Sequence, residues 1–215
     1  MEKDTMIMKE YDDATNQVIT IAFDEMKSGQ YEDATKHFDQ IYTSDSSNYM
    51  AFFFRAFCKS HTGKRGDVYP SAQTLTSAFT LTCQKAAADE ENFLGNMLIV
   101  LTYYMDAMDL LEDNAVTESW KIGDIQRDAL EEVTNTYGDK LKTDPYISAK
   151  LAEYFKIMEV HNKARFGALA SIFDPEHEAV YKAEINKEKR KNRIKLIALG
   201  VFLVVLVVVI VIASV

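Results

Sequence analysis

Two cysteines, three prolines, eight glycines, four histidines and one tryptophan in 215 residues leave a chain poor in the residues that staple, interrupt or catalyse. Cys58 and Cys83 lack the Cys-x-x-Cys spacing of a metal or redox site and fall within apolar helical patterns, which points to two buried, reduced thiols. So little proline and glycine removes the turn punctuation that an all-β chain needs, and no stretch alternates strictly between apolar and polar residues. His37, His61, His161 and His177 are scattered, with neither a His-Glu-x-x-His pair nor a cysteine partner at zinc-binding spacing. Gly63, Lys64, Arg65 and Gly66 are too short for a phosphate loop and lack its following Ser or Thr. Carboxylates such as Asp89, Glu90, Glu91, Glu131 and Glu132 lie beside expected helix starts or on solvated faces, where they complement the helix dipole or solubilise the surface. The expectation is a protein without cofactor, metal or catalytic constellation, and not an enzyme.

Charge is unevenly spread. The net charge is −9, yet residues 187–195 hold six basic residues and one acidic, a local +5, so residues 1–186 carry −14. An acidic body of that size is repelled by nucleic acid, which is excluded as a partner. The basic residues Lys187, Lys189, Arg190, Lys191, Arg193 and Lys195 form a collar expected to meet anionic headgroups at a membrane surface.

Directly after the collar, residues 196–215 form an apolar run without a charge, eight of them valine. At about 1.5 Å per residue, such a run reaches roughly 30 Å as a helix, the thickness of a bilayer's hydrocarbon core. The basic flank places residues 1–186 on the cytoplasmic side. The first ten residues, charged throughout, hold no apolar stretch of the kind an export signal needs. The expectation is a tail-anchored, single-pass membrane protein with an acidic helical domain (1–186), a juxtamembrane collar (187–195) and one transmembrane helix (196–215). A bacterial plasma membrane is favoured over a eukaryotic organelle.

The body reads as all-α. Phe93, Met97, Val100, Leu101, Tyr104, Met108 and Leu111 recur in steps of three and four, and so do Ile122, Ile125, Ala129, Val133 and Tyr137. Ile147, Leu151, Tyr154, Phe155 and Met158 repeat the pattern, continued at Phe166, Leu169 and Phe173. Asp144-Pro145 and Asp174-Pro175 mark helix starts, with aspartate as cap and proline at the first helical position. Helices are expected near 10–28, 31–43, 48–61, 70–87, 90–112, 117–138, 145–173 and 175–194.

Between the first two of these, Gly29, Tyr31, Ala34, Phe38 and Ile41 occupy the turn, helix-start, close-approach and space-filling positions of a helical hairpin. With Val18, Ile21 and Ala22 upstream, residues 15–48 resemble a tetratricopeptide repeat. A shift of thirty-four residues sets Phe52 and Ala56 over Val18 and Ala22, and Gly63 over Gly29. Ala72 then falls about four positions late for the pattern, after the lengthened turn from Lys64 to Pro70. The resemblance implies a TPR-like array of antiparallel hairpins, about seven to eight helices in all, with a concave groove lined by the first helix of each repeat. By that resemblance Ile19, Phe23 and Met26 of one repeat and Phe53 and Phe57 of the next face the groove and contact a protein partner. All five are apolar, so the groove receives an apolar segment of a partner, or a later helix of this chain covers it.

The functional expectation is a tail-anchored adaptor or scaffold whose TPR-like domain binds another protein at the bilayer. A SNARE-like fusion protein is the alternative; it needs a continuous heptad helix before the membrane, which Asp174 and Pro175 interrupt. An enzyme whose site is assembled from side chains distant in sequence is a further alternative.

Overall fold

Gly29 sets the first corner of the structure. The computed structural model describes residues 13–63, 67–117, 119–187, 189–193 and 195. Helix α1 (Asp13–Lys27) ends where Gly29 takes φ +80, a left-handed conformation that an L side chain rarely adopts. The Gln30 amide then reaches back to the Glu25 carbonyl at 2.8 Å, and the Gly29 amide to the Met26 carbonyl at 3.1 Å. That bond pair is a Schellman motif, which satisfies carbonyls otherwise left open at a helix end. Helix α2 (Tyr31–Ser44) folds back on α1 with Ala22 and Ala34 both fully buried, small enough to let the two backbones approach. His37 Nδ1 lies 2.7 Å from Glu25 Oε2 and links the pair on its outer side.

Asn48 opens α3 (Tyr49–Thr62) by accepting the Ala51 amide at 2.8 Å, an N-cap. Helix α4 (Val68–Ala86) begins two residues before the expected position, with Pro70 inside its first turn. Proline is tolerated there because the first helical amides have no intrahelical acceptor. Residues 64–66 of the lengthened turn lie outside the described residues. Helices α5 (Phe93–Asn114) and α6 (Ser119–Leu141) complete the first compact unit, which ends at Asp144. Each helix packs on the next in order, and α3 also meets α5 while α4 meets α6. Contact between alternate helices is how stacked hairpins bury a continuous core. At one end of the unit, Tyr49 ties three helices together. Its carbonyl accepts the Thr82 hydroxyl at 3.3 Å, and its own hydroxyl accepts from buried Asn96 Nδ2 at 2.8 Å.

The second compact unit starts at Pro145, the first residue of α7 (Pro145–Met158). The single helix expected over 145–173 is two helices, with α8 (Lys163–Phe173) beginning after a turn. The reason lies in residues 159–162, where the apolar stripe would need large apolar residues at 161 and 162 but finds His161 and Asn162. Asn162 instead accepts the Arg165 amide at 3.0 Å and caps a new helix. The turn lets α8 fold back so that Phe155 lies nearly parallel to Phe166 and Phe173, at 6.4 Å from each. Asp174 caps the next helical stretch as expected, accepting the Glu176 and His177 amides at 2.9 and 3.1 Å, and also binds Lys156. Residues 175–187 and 189–193 are helical. The Tyr181 hydroxyl donates to the Ala164 carbonyl at 2.9 Å, and its ring lies directly over Gly167.

All regular elements among the described residues are helical, nine in number with the stretch that starts at 175, against the eight expected. None of these helices is long and apolar enough to cross a membrane. Residues 196–215, which the sequence marks as a transmembrane helix, lie outside the described residues.

Candidate functional site

The groove residues expected from the repeat pattern come from two helices. On α1, Ile19, Phe23 and Met26 recur at steps of four and three; on α3, Phe53 and Phe57 are one turn apart. Ile19, Met26, Phe53 and Phe57 are buried, and Phe23 is half-buried. Phe23 meets Phe38 edge-on at 5.1 Å and Phe54 at 4.9 Å, so α1 is held against α2 and α3 through one aromatic cluster. Phe57 continues it toward Tyr31 of α2, at 6.2 Å. Each such pair adds about 0.5–1.5 kcal/mol beyond the area it buries. The structure thus brings Phe23 and Phe57 to the same cluster, on either side of Phe54.

Tyr103 of α5 covers that cluster, with its ring 5.2 Å from Phe54 and 5.1 Å from Phe57. Sequence reasoning missed this residue, because the α5 stripe that it identified runs through Tyr104. The available signal was the doublet itself, since a second large aromatic residue beside the stripe widens the apolar face of the helix. Tyr104 points to α4, stacked on Phe79 at 3.9 Å, with its hydroxyl 3.0 Å from Thr76 Oγ1. A later helix of the chain therefore packs on α3 where the repeat pattern places a partner.

Beside the cluster, where α3 ends and α4 begins, lies a cleft of about 150 Å³ lined by His61, Ser71, Leu110 and Asn114 among others. The His61 ring stacks on Tyr31 at 4.3 Å, and its Nδ1 lies 2.9 Å from the Phe57 carbonyl, which accepts a hydrogen bond when Nδ1 carries the proton. Burial holds the imidazole below the usual histidine range, partly offset by the carbonyl bond, so it is neutral at physiological pH. None of the described residues lining the cleft is acidic. A neutral imidazole, hydroxyls and an amide can hydrogen-bond a polar group, but they lack the carboxylate that orients a general-base histidine.

Burial pushes the Cys58 thiol up to about 12, and the Cys83 thiol also upward, which removes the thiolate that nucleophilic or metal chemistry requires. Both cysteines are free and buried. Among the described residues, no three His, Cys, Asp or Glu side chains are placed to hold a metal ion. The collar residues Lys187, Lys189, Arg190, Lys191, Arg193 and Lys195 are all exposed.

In class, each of the two units is built of packed helical hairpins, consistent with a TPR-like all-α fold. No protein-family model, curated protein or solved structure matches the chain.

Proposed function

We propose that this chain is a tail-anchored adaptor, in which residues 196–215 span a bilayer, the collar rests on its anionic surface and the acidic hairpin array recruits another protein. The observation that carries the reading is the charge layout: −14 over residues 1–186, then +5 over residues 187–195, directly before an uncharged apolar run. The collar is attracted to anionic lipid while the body is repelled from it, so the body stands clear of the bilayer, available to a partner. Tethering raises the partner's effective concentration at the membrane even where intrinsic affinity is modest.

The test uses the full-length tagged chain in its native membranes. It should resist carbonate extraction and, after mild detergent extraction, retain a protein at a stoichiometric ratio. Release by carbonate of still-folded protein would overturn the anchor, and recovery of a stoichiometric small molecule or metal in place of a protein would overturn the adaptor.

A further inference from the structure

One end of the first unit exposes apolar side chains that the core does not use. Val116 and Trp120, in the connection from α5 to α6 and the first turn of α6, are 78% and 61% exposed, and Leu110 on the last turns of α5 is 42% exposed. Leu110 and Trp120 both approach the first turn of α4. Leu110 shares the cleft with Val68, whose neighbour Tyr69 has its ring 5.7 Å from Lys121 Nζ; the same Nζ lies 5.6 Å from the Trp120 ring. Leu110 thus meets the first turn of α4 at Val68, and Trp120 shares Lys121 with Tyr69 of the same turn. Tryptophan and tyrosine in such a setting are the side chains that most often anchor protein interfaces.

The neighbouring faces of α5 and α6 are acidic. Asp106, Asp109 and Asp113 lie exposed on α5 at steps of three and four, and Asp128 is exposed on α6. Residues 106–132 contain nine acidic residues against Lys121 and Arg127, a net of −7, more than half of the −13 carried by residues 1–144. Arg127 is paired with Asp124, and Lys121 is drawn over the two rings. Exposed apolar side chains within a predominantly acidic field select a partner with an apolar stripe and the opposite charge.

We infer that the α4–α5–α6 end is the docking surface for a cationic amphipathic helix of a partner protein, which lays its apolar face on Leu110 and Trp120 and its lysines or arginines against the α5 and α6 carboxylates. This rests on the adaptor reading. The chain's own collar has the right charge but only Ile194 as a large apolar residue, so a second copy's collar would meet the carboxylates and leave Trp120 bare.

Trp120 is the only tryptophan, so its emission reports this surface alone. The full-length chain in non-ionic detergent is titrated with a Lys/Leu amphipathic peptide about 18 residues long, roughly 27 Å as a helix. Protection of Trp120 from acrylamide quenching is followed. A Glu/Leu peptide with the same apolar face and a peptide of residues 187–195 serve as comparisons. The Lys/Leu peptide should protect Trp120 saturably, with the Glu/Leu peptide at least about tenfold weaker; Asp106→Asn with Asp113→Asn should weaken binding by about threefold or more. Asp24→Asn with Glu32→Gln, at exposed positions on α1 and α2, should leave it within about twofold. Equal protection by the Glu/Leu peptide, equal loss in the α1/α2 variant, or equal protection by the collar peptide would each overturn the inference. A protein partner that stays bound to Trp120→Ala would refute the docking surface and leave the adaptor standing. The adaptor itself fails on the absence of any bound protein, whatever the peptide does.

Discussion

Replacing Gly167 with alanine should change sign with its neighbour. An ideal Cβ at Gly167 would lie 2.5 Å from Tyr181 Cδ2 and 2.6 Å from Cε2. Carbon atoms in contact prefer about 3.5–4.0 Å, so the Tyr181 ring or its helix must retreat by about 1 Å. The ring is not free to do so, since its hydroxyl donates to the Ala164 carbonyl at 2.9 Å and it stacks with His177 at 6.4 Å. Overpacking of this kind costs about 1–3 kcal/mol, while Gly to Ala inside a helix returns about 1 kcal/mol. The expected net loss is about 0–2 kcal/mol, confined to α8 and residues 175–187. In a Tyr181→Ala background the overlap is gone, and Gly167→Ala should stabilise by about 0.5–1 kcal/mol. Amide hydrogen exchange over α8 and residues 175–187 in the four variants of this cycle measures both quantities locally. A global melt would not, because the chain contains two compact units and need not unfold in one step. The reasoning is refuted if Gly167→Ala stabilises both backgrounds alike, with a coupling below about 0.5 kcal/mol.

Two further outcomes concern the first unit. Gly29→Ala meets no neighbouring atom within 4 Å, so its whole effect is the backbone strain at φ +80. Chemical denaturation followed by Trp120 fluorescence should show a loss of about 1–2 kcal/mol, smaller for Gly29→Asn, which tolerates that conformation better. His61 is held below its usual value of 6.5 by burial, so the unfolded chain binds its proton more readily than the folded one. Its contribution to stability is therefore complete above pH 6.5 and declines as pH falls from there toward the folded value. Denaturation midpoints measured across that interval should fall for the wild type and lose that slope in His61→Gln.

Much of the fold could be read where local chemistry and tertiary packing agree. The glycine turn after α1, the start of α2 at Tyr31 and the cap at Asp174 each depend on a few adjacent residues, and their positions follow from the sequence. The break between α7 and α8 was harder, since apolar periodicity resumes at Phe166 as though the helix had continued. Only the polar pair His161 and Asn162 at stripe positions betrays it. The candidate surfaces were less legible still. A repeat pattern names the residues of a groove, but whether α5 covers them depends on Tyr103, some fifty residues away in sequence. Trp120 and Val116 carry no periodic signal, because exposure is a property of what fails to pack on a residue.

The two tyrosines side by side on α5 have a mechanical consequence. Hairpin arrays are normally quasi-one-dimensional, so that each repeat depends on its neighbours and the ends fray independently. Helix α5 packs on α3, α4 and α6 together, with Tyr103 set against one and Tyr104 against another, so these four helices cannot loosen separately. Helix α2 is joined to this group through α3, while α1, packed mainly on α2, is the outlying element. The exposed α5 and α6 carboxylates are thus carried on helices fixed by several neighbours, and on the docking proposal a partner helix would find that surface already pre-organised, with little ordering entropy left to lose.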